Sequence, residues 1–206
     1  MGLVDGLNHL GLAYSKNQLV NLQTILDEHL KWNKVFNLSA HRDEKSVLIY
    51  QILDSLTPHD FIRKGKLLDI GTGPGFPGLP LALFFPNTHV TIVDSNDKKL
   101  TFARHIRALC KISNLTVVHK RIEDLPTTQQ FDQIISRAFT HLNGIIDCSA
   151  ILLKPEGEIL AMKGAQAANE IVDAQSIHGN FMIWLHKLPH VIDEKRMLVV
   201  VRQRSE

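Results

Sequence analysis

The segment Leu67-Leu68-Asp69-Ile70-Gly71-Thr72-Gly73-Pro74-Gly75-Phe76-Pro77-Gly78 limits what this chain can fold into more than any other. An apolar run enters a glycine-rich turn and leaves it into helical periodicity. In an open α/β sheet such a turn sits outside the carboxyl end of a strand, where ligands bind. Glycine there permits tight turning and close approach of the backbone to a ligand. Short apolar runs predict further strands at residues 66–70, 90–93, 115–119, 131–136, 158–162, 181–188 and 196–201. Helical periodicity lies between them near residues 79–85, 98–110, 142–153 and 166–176. That alternation predicts an α/β domain with a mainly parallel sheet. Between the last two runs only residues 186–195, with Pro189, intervene. The gap predicts a hairpin, and with it one antiparallel strand.

The amino-terminal part reads differently. Leu19, Leu22, Leu26 and Leu30 fall on one face of a helix. A second helix is predicted over residues 44–56, with Val47, Leu48, Ile52 and Leu56 as its apolar stripe and Pro58 as its stop. The chain is therefore divided into a helical segment, residues 1–64, packed on an α/β domain, residues 65–206.

Three ligand classes compete for the glycine turn. A phosphate-binding P-loop needs a lysine after its last glycine, and Leu79 follows Gly78. Gly73, Gly75 and Gly78 have the spacing of a dinucleotide loop, which holds a pyrophosphate on backbone N–H groups. Pro74 and Pro77 carry no N–H, so two such donors are missing. S-adenosylmethionine has no phosphate and needs none. It needs a glycine turn for its methionyl part and an acid one strand later for its ribose, and Asp94 stands 23 residues after Gly71.

The rest of the chain narrows the function by exclusion. Cys110 and Cys148 are its only cysteines, so a disulfide framework is excluded and a reducing cytoplasm fits. No run reaches the ~18 apolar residues of a membrane span, and no signal peptide is evident. The 11 histidines show no metal-binding spacing and no Cys-x-x-Cys occurs, so no metal is expected. Net charge is only +2, but residues 98–121 hold seven basic side chains and no acidic one. Such a stretch is either a solvated helix face or a footprint for a polyanion.

The string from Asp69 to Pro80 resembles the signature of the RsmG (GidB) family of 16S rRNA guanine-N7 methyltransferases. Other pieces follow in that family's order: Lys31-Trp32-Asn33-Lys34 with Phe36-Asn37-Leu38-Ser39, Ile52-Leu53-Asp54-Ser55, Asp94-Ser95 with Lys98-Lys99, Ser136-Arg137-Ala138, Lys163-Gly164, and Arg196 before Leu198. The likeness spans residues 15–202. Two departures are visible: Gln51 stands where the family usually has His, and Ser39 replaces a Thr. The resemblance implies a class I S-adenosylmethionine-dependent methyltransferase, Rossmann-like, with an antiparallel last strand and an amino-terminal helical extension. It implies cofactor contacts at Gly71, Gly73, Gly75, Phe76, Asp94, Ile122, Glu123 and Arg137.

The acceptor atom agrees with the motifs that are missing. Methylation at cytosine C5 needs a cysteine nucleophile, and neither cysteine lies at a strand end. Exocyclic amines are usually served by a polar-Pro-Pro-aromatic turn, where this chain has Ser136-Arg137-Ala138-Phe139. Guanine N7 carries a free lone pair and needs no base. Arg137 and Lys163 are expected to position the acceptor, and Phe76 or Phe139 to stack on it. Lys31, Lys34, Lys98, Lys99, Arg104 and Arg196 are expected to meet RNA backbone. The expected partner is 16S rRNA or the small ribosomal subunit, met by a cytoplasmic monomer without membrane contact. Two alternatives stand beside this: a nicotinamide-dependent oxidoreductase, and a non-catalytic RNA- or ribosome-binding module.

Overall fold

In the computed structural model, which describes residues 1–191 and 196–204, the apolar runs form seven strands. These are β1 (Gly65–Ile70), β2 (Thr88–Asp94), β3 (Leu115–His119), β4 (Phe131–Arg137), β5 (Leu153–Lys163), β6 (Phe181–Lys187) and β7 (Met197–Gln203). They make one sheet in the order β3-β2-β1-β4-β5-β7-β6. The pairs from β3 through β5 are parallel, and β7 runs antiparallel to both β5 and β6. The predicted hairpin is thus present, although residues 192–195 of its connection lie outside the described residues. The strand order reverses between β1 and β4, and a sheet of this kind opens its ligand cleft there.

Four helices cover the sheet: α5 (Gly78–Phe84), α6 (Asp97–Leu109), α7 (Leu142–Ser149) and α8 (Ala167–Ile177). Adjacent strand residues supply opposite faces, as the two-residue period requires. Leu67, Ile135 and Leu160 belong to one core, and Leu68, Ile134 and Ile159 to the other. The predicted helix over residues 142–153 is α-helical only to Ser149, whose hydroxyl donates to the Ile145 carbonyl; a 3-10 turn, Ala150–Leu152, completes it.

The amino-terminal helices are α1 (Leu3–His9), α2 (Lys16–Phe36), α3 (Glu44–Val47) and α4 (Asp54–Leu56). Between α3 and α4 the backbone is π-helical, Leu48–Leu53. Ser15 caps α2 reciprocally with Gln18. Leu22, Ile25, Leu26, Ile52 and Leu56 are buried with Leu79, Phe102 and Ile106, so these helices share the core on one face of the sheet. The short helix α1 was not expected from the sequence, though Leu3, Leu7 and Leu10 bury one side of it.

Candidate functional site

The glycine turn is built around four fixed acceptors. The Asp69 carboxylate is fully buried at the end of β1, and its Oδ2 accepts from the Thr72 hydroxyl at 2.5 Å and the Gly78 N–H at 2.8 Å. The Val93 carbonyl accepts from Gly71 and Thr72, and the Thr72 carbonyl from Gly75 and Phe76. Asp94, at the end of β2, accepts from the Gly73 N–H at 2.8 Å. Gly71, Gly73 and Gly75 all have positive φ, at 64°, 59° and 109°, which side chains disfavour. A Cβ on Gly71 would also run into the Phe139 ring.

Counted this way, every N–H from residue 71 to 79 is already bonded within the protein, Leu79 to the Gly75 carbonyl included. The turn has no spare donor for a diphosphate. Asp94 has the opposite surplus: its Oδ1 accepts from Asn96 N–H at 2.7 Å and its Oδ2 from Gly73. A carboxylate has about four lone-pair sites, so two remain to receive hydroxyl donors. The helix cap of α6 is Asn96, whose side chain accepts from Lys99 N–H.

Two cavities meet over this turn. The larger, about 730 Å³, is lined by Gly71, Phe76, Arg137, Lys163 and Arg196, and by Ser39, His41, Tyr50, Gln51 and Asp54 from the helical part. The smaller, about 210 Å³, is lined by Asp94, Ile122, Glu123, Lys120 and Arg121. Gly71, Ala138 and Phe139 line both, so the Phe139 ring stands between them. The structure therefore brings Gly71, Phe76, Asp94, Ile122, Glu123, Arg137, Lys163 and Arg196 to the carboxyl edge of the sheet. Gly73 and Gly75 shape the turn itself without lining either cavity.

The charged side chains of the large cavity are tied to one another. The Arg137 guanidinium donates to the Tyr50 carbonyl at 2.7 Å, to Asp54 Oδ2 at 3.0 Å and to Gln51 Oε1 at 2.8 Å. Asp54, completely buried, also accepts from Arg196 Nε at 3.1 Å. Gln51, standing in for a His, thus serves as an acceptor for Arg137. Lys163 donates to the Thr140 carbonyl at 2.6 Å and to Glu170 at 2.7 Å, and Glu170 also accepts from Leu142 N–H. Burial first, and then the Arg137 charge, hold His41 below the usual histidine range; its ring stacks on Tyr50 at 4.6 Å.

The cavity wall at residues 37–41 is pinned by Asn33. Its side chain donates to the Ser39 and His41 carbonyls and accepts from Ser39 N–H. Asn33 and Asp54 both fell inside segments of the family likeness without a role attached. The available signal was their polarity on otherwise apolar helix faces. Neither cysteine lines either cavity, and each thiol is pushed up by burial, Cys148 to about 11, which favours the unreactive protonated form.

Of the expected RNA contacts, Lys31 is paired with Glu28 and Arg104 with Asp97, both on exposed surface. Lys34, Lys98 and Lys99 have no carboxylate partner among the described residues. Among those residues no group of three or more His, Cys, Asp or Glu is placed to hold a metal ion, and no helix is long and apolar enough to cross a membrane.

Residues 17–198 match the family model described as rRNA small subunit methyltransferase G (GidB). A Klebsiella pneumoniae protein named ribosomal RNA small subunit methyltransferase G is 35% identical over 192 residues, covering 93% of this chain and 91% of its own. One of the same name from Polynucleobacter asymbioticus is also 35% identical, covering 98% and 96%. Among solved structures, the ribosomal protein L11 methylase of Lactobacillus delbrueckii subsp. bulgaricus superposes with a TM-score of 0.57 at 17% identity, over 79% of this chain and 80% of that one, a likeness of fold.

Proposed function

This chain belongs to the rRNA small subunit methyltransferase G family, and from that premise we propose that it transfers the methyl group of S-adenosylmethionine to N7 of a guanine in small-subunit (16S) rRNA. One observation supports this above the rest: a glycine turn whose every N–H is spent internally, beside an aspartate with acceptor sites in reserve. A nicotinamide dinucleotide would find no donors for its diphosphate there.

When bound, S-adenosylmethionine supplies an electrophilic methyl group on a sulfonium centre. Asp94 would receive the ribose hydroxyls, with Ile122 and Glu123 walling the nucleoside side. Gly71, Gly73 and Gly75 keep the turn flat enough for the methionyl part, and Phe76 closes its floor. Arg137 fixes the opposite wall by holding the π-helical segment in place. Lys163 fastens the connection after β4 through the Thr140 carbonyl. Both act as positioning residues. Phe139, 39% exposed between the two cavities, is the aromatic face on which the acceptor base would stack.

No group in this scheme must take a proton, because the N7 lone pair is free at neutral pH. The protein contributes orientation, a sizeable part of any bimolecular barrier. Lys31, Lys34, Lys98, Lys99, Arg104 and Arg196 would meet phosphates of the rRNA, and a cytoplasmic setting fits a ribosomal RNA substrate. The test is transfer of labelled methyl to small-subunit RNA or subunits lacking the mark, with mass mapping of the product. Label in 7-methylguanosine is expected. Label in another base or atom, or stabilisation by NAD but not by S-adenosylhomocysteine, would overturn the reading.

A further inference from the structure

A ladder of three rings runs between α2 and α6, outside both cavities. Trp32 lies 5.2 Å from Phe36 and 5.0 Å from His105, with tilts of 33° and 30°. Its edge contact with the buried Phe102, at 5.8 Å, ties the ladder to the core. Phe36 ends the ladder and is 50% exposed. Truncating it would uncover little core, because Trp32 already rests on Phe102 and His105.

The position of this ring is informative. Contacts of Asn21 with Cys110, Glu28 with His105 and Trp32 with Phe102 show that α2 and α6 run antiparallel. The carboxyl end of α2 therefore lies beside the amino end of α6, where Lys98 and Lys99 begin the basic stretch. The Lys99 side chain reaches the glycine turn, 4.0 Å from where a Cβ on Gly73 would sit. Two residues beyond Phe36, Leu38 already lines the large cavity, roughly 7–8 Å of chain away. An open aromatic face, two cations with no carboxylate partner among the described residues (Lys98 and Lys99) and the cavity mouth thus share one edge of the molecule.

We propose that Phe36, backed by Trp32 and His105, is a stacking platform for an unpaired base of the substrate RNA next to the guanine being methylated, with Lys98 and Lys99 on the flanking phosphates. The proposal rests on the functional reading above. Its occupant follows from charge and ring chemistry: bare aromatic faces beside lysines bind single strands, each base stacking on a ring while cations track the backbone. A single strand is also what a splayed-out target guanine requires of its neighbours.

The test compares Phe36→Ala, Phe36→Leu and Phe36→Trp with the wild type, using protein-free small-subunit rRNA that lacks the mark. Phe36→Leu keeps the apolar bulk and removes the π face. Alanine and leucine are both expected to raise KM for RNA about tenfold, with kcat and affinity for S-adenosylhomocysteine unchanged and tryptophan near wild type. Wild-type KM in Phe36→Leu would overturn the platform, and so would a loss seen only when ribosomal proteins are present. A wild type that methylates neither this RNA nor small subunits lacking the mark would overturn the functional reading too, and is seen before any variant is compared.

Discussion

Asp54 has no solvent exposure and faces two guanidinium groups, Arg137 through Oδ2 and Arg196 through Oδ1. Removing its charge leaves two nearly buried cations opposite a neutral amide. Breaking a buried pair in this way costs about 3–5 kcal/mol, so Asp54→Asn is expected to lower the unfolding free energy by that order, with a lower urea midpoint, and to depress methyl transfer with it. An unchanged midpoint would mean that Asp54 is not what balances the arginines. The sequence carried Asp54 within a helix stripe and Arg137 at a strand end, 83 residues apart. Nothing in their spacing joins them, since the meeting depends on how the helical part docks on the sheet. Asn33 is the same case: its three bonds to the chain at 39–41 exist only once α2 has ended.

At the scale of elements, the strands and the four helices of the α/β part were readable because each buries a face at its own period. The helix α1 was missed because seven residues make too few turns to show a period. The π-helical stretch over Leu48–Leu53 was also hidden. Its apolar stripe reads as ordinary helix, and its offset turn offers the Tyr50 carbonyl and Gln51 to Arg137, a tertiary requirement. Extra turns of this kind are frequent at functional sites. The glycine turn, by contrast, was legible down to its missing N–H groups. What the prolines did not reveal was that the remaining donors are consumed as well. Gly71 is the sharpest test of that turn. Alanine there must hold a left-handed conformation, at about 1–2 kcal/mol, and push Phe139 aside. Gly71→Ala is expected to weaken S-adenosylhomocysteine about tenfold, or ~1.4 kcal/mol, by calorimetric titration; wild-type affinity would show that the ligand does not approach this residue.

For the whole molecule, two buried titratable groups brace the turn from below and respond to pH in opposite senses. Burial pushes Asp69 up to about 7, against the lowering pull of Thr72 and Gly78. Burial lowers His29 to about 4; its ring lies edge-on to Phe76 and Phe102, and neither ring nitrogen has a hydrogen-bond partner. The folded state holds the Asp69 proton more tightly than the unfolded chain does. Its contribution is therefore complete below the usual carboxylate range near pH 4 and is lost as pH rises through about 7. The folded state refuses the His29 proton, so that contribution is complete above about pH 6.5 and is lost as pH falls toward 4. Asp69→Asn keeps an acceptor for Thr72 and Gly78 and cannot ionise. Relative to wild type it should gain stability between pH 5 and 8, on the order of a few kcal/mol, or roughly 2–4 °C in melting point per kcal/mol. His29→Leu should gain instead between pH 6.5 and 4, where the unfolded wild type takes up a proton that the folded state refuses. Melting curves across that range separate the two, because each substitution flattens one limb and leaves the other. A Asp69→Asn profile parallel to wild type would mean that the carboxyl titrates near its ordinary value, with solvent reaching its unbonded oxygen and the brace beneath the glycine turn weaker than its geometry indicates.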